Sequence, residues 1–166
     1  MEIWTIQAVD KEMNHLEEAF WKIADQLIVD RARLEGLWPQ FEKHRNDPKR
    51  TYSIIEQCLP EGTWEWPEFI AHQASKGVTP TFKEMCKMLY SRIERVSGAL
   101  RTADQISHVI VRTPYLLFRA GLEPRPECRA ADGRVEHYTN EFWEHHTPPC
   151  DWLECSCRIF VDRKMR

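Results

Sequence analysis

The chain has 166 residues, of which 42% are hydrophobic and 30% are charged, and its formal net charge is −3. This composition favours a soluble globular protein with one core and at most a small second module, since no apolar run reaches the roughly 18 residues that span a bilayer. Lysine and arginine number 14 against 17 acidic residues over 1–107 and 9 against 9 over 108–166, so neither part has the composition of a protein that neutralises many phosphates.

The first predicted element is an amphipathic helix that runs from about Trp4 to about Leu34 and ends at Gly36. Its apolar residues recur at alternating steps of three and four, which places them on one stripe. The stripe either covers this protein's own core, which we favour, or forms a coiled-coil seam against a partner chain. As a binding surface the stripe would consist of Ile6, Val9, Met13, Leu16, Phe20, Ile23 and Leu27.

Three further helices are predicted at about 48–58, 67–76 and 80–101, because each begins with a proline, whose missing N–H is not needed in a first helical turn. Thr81 and Glu84 have the pattern of a capping box at the start of the last one.

Trp64 and Trp66 flank an acid in the turn before the second of these helices. Two tryptophans in one turn are typical of core anchors or of an interaction surface rather than of a catalytic site. We include both among the candidate binding residues, beside the amino-terminal stripe.

Beyond about residue 105 the composition changes to short segments rich in β-branched and aromatic residues, separated by prolines and turn residues. The segment HVIVRTPYLLFRA at 108–120 predicts two short strands or a strand and an edge, and 134–138 and 155–161 are strand-like pieces. We therefore predict an α+β fold, with a helical part over 1–104 and a small, loop-rich α+β module with short strands over 105–166.

The run RPECRAADGRVEHYTNEFWEHHTPPCDWLECSCRIF at 125–160 contains four of the six cysteines and three of the seven histidines. The amino terminus has acids where a secretory signal needs an apolar core, so we expect a cytosolic chain with reduced thiols. Clustered thiols there favour zinc ligation, with packing as small buried hydrophobes as the alternative. The candidate zinc ligands are Cys128, Cys150, Cys155 and Cys157, with His146 as a substitute.

An enzymatic interpretation uses the same run of residues. His145 or His146, next to Glu144, could act as the base of a toxin-like transferase or hydrolase. Adjacent histidines on a strand would point to opposite faces, however, and no phosphate loop, HExxH pair or nucleophile elbow occurs in the sequence. We favour a structural or capping role for these histidines and expect no enzymatic activity.

An ordered series of short motifs runs over roughly 108–161. Its residues are Arg112, Pro114, Tyr115 and Phe118, then Arg125, Pro126, Cys128, Asp132 and Gly133, then Phe142, Trp143, Pro148, Pro149 and Trp152, and finally Cys155 to Arg158. This order resembles the carboxy-terminal domain of the phage Mu F-like minor head proteins, also called head morphogenesis proteins. Members of that family are usually much longer, and the WLECSCR segment here has one extra residue before its first cysteine and a serine where arginine is common.

The resemblance implies a structural protein of the virion, made in the host cytoplasm and placed in the head interior or at the portal vertex. Its implied partners are portal and capsid proteins and the packaged DNA, with no membrane, and it would be present in several copies per particle. The helical part over 1–104 would then contact portal or capsid subunits, and the module over 105–166 would correspond to the F-like domain.

Overall fold

The structure is a computed structural model, and it describes residues 15–110, 112–148 and 155–163. Within these ranges the protein has an α+β fold with seven helices and two small sheets, and the helical part comes first, as predicted. The chain forms two compact units, the first ending at Ser97 and the second beginning at Gly98. No helix in the described ranges is both long enough and apolar enough to cross a membrane.

The amino-terminal stripe does not lie on one continuous helix. Helix α1 covers 15–24 of the described residues, and strand β1 (Ile28–Val29) follows a short turn. Strand β1 pairs antiparallel with strand β2 (Trp64–Glu65). The β-branched residues of β1 therefore leave the helical path because a partner strand from far along the chain supplies their hydrogen bonds.

Helix α2 (Arg31–His44) begins immediately after β1. The Asp30 carboxylate caps it by accepting a hydrogen bond of 3.1 Å from the Ala32 N–H. The prediction of one helix that ends at Gly36 is therefore wrong, because Gly36 lies inside α2, where a helical glycine costs only about 1 kcal/mol relative to alanine.

The helices predicted from prolines are present. Helix α3 (Pro48–Cys58) has the predicted bounds, helix α4 (Pro67–Ser75) ends one residue early, and helix α5 (Phe82–Val109) starts later and extends further than predicted. The Thr81 N–H donates to Glu84 Oε2 and the Glu84 N–H donates to Thr81 Oγ1, both at 3.2 Å. This reciprocal pair is the predicted capping box.

Aromatic side chains fill much of the core of the first unit. The Phe20 and Phe41 ring centroids are 5.5 Å apart, those of Phe41 and Tyr90 are 5.9 Å apart, and those of Tyr52 and Tyr90 are 5.4 Å apart. Such pairs stabilise a core by roughly 0.5–1.5 kcal/mol beyond the burial of their area. Helices α1, α2, α3 and α5 are therefore joined through one aromatic network.

The second unit contains a three-stranded antiparallel sheet of order β4-β3-β5. Its central strand is β3 (Tyr115–Arg119), and the outer strands are β4 (Val135–His137) and β5 (Arg158–Val161). Both outer strands lie inside the strand-like pieces predicted at 134–138 and 155–161. Of the segment at 108–120, residues 115–119 form a strand, whereas 108 and 109 still belong to α5.

Two short helices occupy stretches for which the sequence predicts loops. Helix α6 (Pro126–Ala130) again begins with a proline, and helix α7 (Phe142–His146) contains both adjacent histidines. The premise that these histidines lie on a strand is therefore wrong, because they follow each other around a helix.

Candidate functional site

The motif residues of the second unit converge on one hydrophobic core. Strand β3 turns alternate side chains towards this core, and α6, α7 and the segment before β5 supply the other walls. The partly buried residues Ile159 and Val161 of β5 pack against it. The buried members of this motif core are Leu116, Phe118, Cys128, Ala131, Phe142, Trp143, Cys155 and Cys157.

Aromatic contacts and one hydrogen bond fix the position of Trp143 in the motif core. The Phe142 and Trp143 rings meet edge to face with centroids 4.8 Å apart, and Phe118 lies edge-on to Phe142 at 6.0 Å. The indole Nε1–H of Trp143 donates to the His137 carbonyl oxygen at 3.0 Å. The tryptophan therefore joins α7 to β4 and serves as scaffold.

Three of the four predicted cysteine ligands lie together in this core. The side chains of Cys128, Cys155 and Cys157 are only 2%, 4% and 8% exposed, and all three are free thiols. We call these three residues the thiol cluster. Cys150, the fourth predicted cysteine, lies outside the described residues.

Hydrogen-bond donors point at two sulfurs of the thiol cluster. The Gly121 N–H donates to Cys157 Sγ at 3.4 Å, and Arg125 Nη2 donates to Cys128 Sγ at 4.0 Å. Burial raises the pKa of the Cys157 thiol to about 11, the bond from Gly121 lowers it, and the neighbouring Cys155 and Cys128 thiols raise it further. Without a bound cation the Cys157 thiol is therefore neutral near pH 7.

The segment that carries two of the thiols is held by a close backbone approach at Gly121. A Cβ atom added there would lie 2.6 Å from the Ser156 carbonyl oxygen, closer than real Cβ contacts. The next residue, Leu122, donates its N–H to Ser156 Oγ at 3.0 Å. The absence of a side chain at Gly121 therefore allows the segment at 155–157 to lie against the end of β3.

The described side chains form no ready metal site. Among them, no group of three or more His, Cys, Asp or Glu residues is arranged to hold an ion. His146, the predicted substitute ligand, instead stacks on Phe142 with centroids 4.1 Å apart and planes at 5°, and its Nδ1 lies 2.9 Å from the Phe142 carbonyl oxygen. The thiols thus have the chemistry of a zinc site without its geometry.

The residues of the enzymatic interpretation do not form a catalytic group with one another. Glu144 and His145 are exposed on α7, whereas the ring of His146 is used in packing. A pocket with a volume of about 380 Å³ exists elsewhere in the second unit. Its described lining residues are Val109, Arg112, Thr113, Val161 and Arg163.

In the first unit, the described candidate binding residues are mostly inside. Leu16, Phe20 and Ile23 are buried in this chain's own core, and Leu27 is half-buried. The other predicted members of the stripe, Ile6, Val9 and Met13, lie outside the described residues.

Trp64 and Trp66 are also buried, and both indole N–H groups are used within the first unit. Trp64 donates to the Leu59 carbonyl oxygen at 2.8 Å, and Trp66 donates to Gln26 Oε1 at 3.1 Å. They are core anchors rather than an exposed binding surface.

Sequence reasoning missed the outward side of the three-stranded sheet. The alternation in YLLFR and RIFV predicts two faces for each strand, and the structure turns Leu117, Arg119, Arg158 and Phe160 away from the motif core. The alternation with a period of two was the signal in the sequence that could have indicated this outward face. It could be recognised as one shared face only once β3 and β5 were known to be neighbouring strands.

Among known proteins, no family model matches the chain, no curated protein matches it, and no solved structure matches it.

Proposed function

We propose that this chain is a phage minor head, or head morphogenesis, structural protein that associates with portal or capsid subunits and supports head assembly or DNA packaging and ejection. One observation carries the proposal. Motif segments that are scattered along the sequence contribute Phe118, Cys128, Trp143 and Cys157 to a single core. The ordered resemblance to the F-like domain therefore coincides with one folded module.

The chemistry of that module favours a structural role over a catalytic one. Its thiol and aromatic side chains are buried, and its arginines are used at the surface, as in the 2.8 Å pair of Arg134 with Glu136. Gly133 adopts a φ of +80° in the turn before β4, and its N–H donates to the Phe118 carbonyl oxygen at 2.9 Å. The Asp132-Gly133 motif thus shapes the turn that leads from α6 into β4.

The proposal includes a structural zinc ion at the thiol cluster. Thiolates are preferred zinc ligands, and donors such as the Gly121 N–H and the Arg125 guanidinium stabilise negatively charged sulfur. Zinc would replace the protons of Cys128, Cys155 and Cys157, and the three side chains would have to turn towards one point. Bound zinc would supply folding free energy to a module whose core is small.

In this proposal the chain is made in the host cytoplasm and becomes part of the virion, in the head interior or at the portal vertex. It is present in several copies, near packaged DNA. Since the described part of the amino-terminal stripe is buried, its partners would contact other surfaces of the helical unit.

Quantitative mass spectrometry of purified, nuclease-treated phage particles tests the proposal. We expect the chain in intact heads at a fixed ratio to the portal protein. The Gly121→Ala variant, which disrupts the module, should be depleted from particles, whereas Leu122→Ala, at a side chain that is 85% exposed, should be incorporated normally. Absence of the unaltered chain from particles would refute the proposal.

A further inference from the structure

The outward side of the three-stranded sheet carries aromatic, apolar and cationic side chains in rows. Tyr115 lies opposite His137 at one end, and Leu117 lies between Val135 and Phe160 in the middle. Arg119 lies opposite Arg158 at the other end. We call these seven residues the outer sheet face.

The aromatic rings of the outer sheet face are at least partly accessible. Phe160 is 47% exposed. The Tyr115 ring is half-buried and meets His137 edge to face with centroids 5.4 Å apart. Phe160 and Tyr115 are diagonal neighbours on adjacent strands, a relation that sets the two Cα atoms roughly 7–8 Å apart. Rings on two such positions can each stack with one base of an extended strand.

The two arginines occupy directly opposite register positions on neighbouring strands although they carry the same charge. Like charges directly opposite each other on neighbouring strands destabilise a sheet. Asp132 Oδ1 lies 3.8 Å from Arg119 Nε, but it also accepts the Ala120 N–H at 2.9 Å. No carboxylate among the described residues pairs with Arg158. Within the described ranges the pair is therefore incompletely neutralised, and an anion that binds both guanidinium groups would reduce the repulsion between them.

We infer that the outer sheet face is a binding site for single-stranded nucleic acid. Arg119 and Arg158 would bind phosphates, and Phe160 and Tyr115 would stack with bases. A duplex hides its base faces, so an unpaired strand suits the accessible rings better than a duplex does. The charge-neutral part of the chain over 108–166 is compatible with this site, because stacking needs few phosphate contacts. The inference goes beyond the proposed function and does not depend on it.

Fluorescence anisotropy of the full chain with a labelled oligothymidylate of about 12 nucleotides tests the inference. We expect binding at low salt, with a slope of log K against log salt of about −1.4, since two phosphates at about 0.7 each are contacted. An oligouridylate distinguishes RNA from DNA as the preferred strand. A duplex of the same length should bind much more weakly.

Substitutions separate the role of the rings from that of the charges. Phe160→Ala should weaken oligonucleotide binding roughly 5- to 100-fold through lost stacking, whereas Leu122→Ala, an exposed apolar control on a loop, should not. Arg158→Gln should reduce the salt slope by about 0.7 and should also raise the melting temperature of the free protein by roughly 1–4 °C. Arg129→Gln, on the exposed side of α6, is the matched control for charge.

If Arg158→Gln weakens oligonucleotide binding and also raises the melting temperature of the free protein, the two arginines destabilise the free protein until an anion binds them. Absence of oligonucleotide binding at low salt would overturn the inference. Binding that is equal for single strand and duplex, or unaltered in both Phe160→Ala and Arg158→Gln, would also overturn it. Capture of an acidic polypeptide by this face, without oligonucleotide binding, would assign the face to a protein partner instead.

Discussion

The two units of this chain reach a buried core in different ways. The first uses long amphipathic helices and a network of aromatic rings around Phe20, Phe41 and Tyr90. The second uses short strands, two five-residue helices and three thiols. A core of short elements has few side chains to bury, so it depends more on each close approach and on any bound ion.

The buried cysteines make this comparison concrete. Cys86 is buried in the first unit with the Glu56 carboxylate nearby, whereas Cys157 is buried in the second beside two further thiols. Among the described residues, Cys157 has other thiols with which it could share a cation, and Cys86 has none. The same side chain is a packing group in one unit and a candidate ligand in the other.

Separate substitution of these two cysteines by alanine should give the largest difference in zinc content and stability. If zinc binds the thiol cluster, Cys157→Ala should abolish stoichiometric zinc and lower the unfolding free energy of the metal-loaded protein by several kcal/mol. Cys86→Ala removes only packing and should cost about 1–2 kcal/mol. Elemental analysis and Co²⁺ absorption, which reports thiolate coordination, provide the measurements.

The outcomes of these two substitutions discriminate between the two roles of the thiols. The thiol cluster would be only part of the hydrophobic core if the purified, unaltered chain contained no zinc and if Cys157→Ala and Cys86→Ala lowered the unfolding free energy by similar amounts. Loss of the Co²⁺ thiolate band in Cys157→Ala, but not in Cys86→Ala, is the expected result.

Two glycines provide the next largest contrast. Gly121→Ala should destabilise the protein by about 1–3 kcal/mol, because the new methyl group overlaps the Ser156 backbone and must displace the segment at 155–157. Gly36→Ala should stabilise it by about 0.5–1 kcal/mol, since Gly36 lies within α2 with no atom within 4 Å of the added Cβ.

Urea unfolding of both glycine variants measures these opposite signs. Hydrogen exchange should locate the Gly121→Ala effect in residues 115–119 and 155–161. If Gly121→Ala left the free energy of unfolding unaltered, the segment before β5 would be able to move away at little cost. The claim that the second unit depends on this close approach would then be wrong.

Alkaline pH should also destabilise the first unit through Cys86. Burial, and secondarily the nearby Glu56 carboxylate, raise the pKa of this thiol from 9.0 to about 12. Between these two pH values the folded state retains a proton that the unfolded state loses. The contribution of the Cys86 thiol to the free energy of unfolding is therefore complete below pH 9 and is lost as the pH rises towards 12. Melting temperatures between pH 8 and pH 11 should fall less steeply in Cys86→Ala than in the unaltered chain.

Local signals explain which parts of this fold were predictable. Helix α3 was predicted at its bounds because Asp47 and Pro48 define its first turn within the sequence itself, and the Asp47 carboxylate does accept the Arg50 N–H at 3.2 Å. The capping box at Thr81 is equally local. Helices α6 and α7 were missed because five residues are too few to show a helical period.

Contacts between distant residues explain the rest. The break between α1 and α2 depends on Val29 pairing with Trp64, and no periodicity near Val29 announces a partner so far along the chain. The clustering of cysteines in sequence did predict that thiols meet. That Gly121 would lie against Ser156, 35 residues later, needed the structure.

The smallest expected contrast concerns two exposed or half-exposed ion pairs. The Glu136 carboxylate accepts a hydrogen bond of 2.8 Å from Arg134 Nε and one of 3.0 Å from Asn140 Nδ2. It therefore joins β4 to the turn before α7. Glu35 is mostly exposed and lies 3.5 Å from Arg31 on the surface of α2. Glu136→Gln should therefore cost about 0.5–1.5 kcal/mol, because it weakens two hydrogen bonds at once.

Glu35→Gln is the matched change in the first unit and should cost less than about 0.5 kcal/mol. Urea unfolding at low and high salt measures both, and added salt should diminish the Glu35 effect more than the Glu136 effect, since solvent screens the exposed pair more completely. Equal decreases in unfolding free energy for the two variants would mean that polar contacts contribute no more to stability in the second unit than in the first. A larger loss at Glu136 would show that short elements depend on side-chain hydrogen bonds where long helices depend on packing.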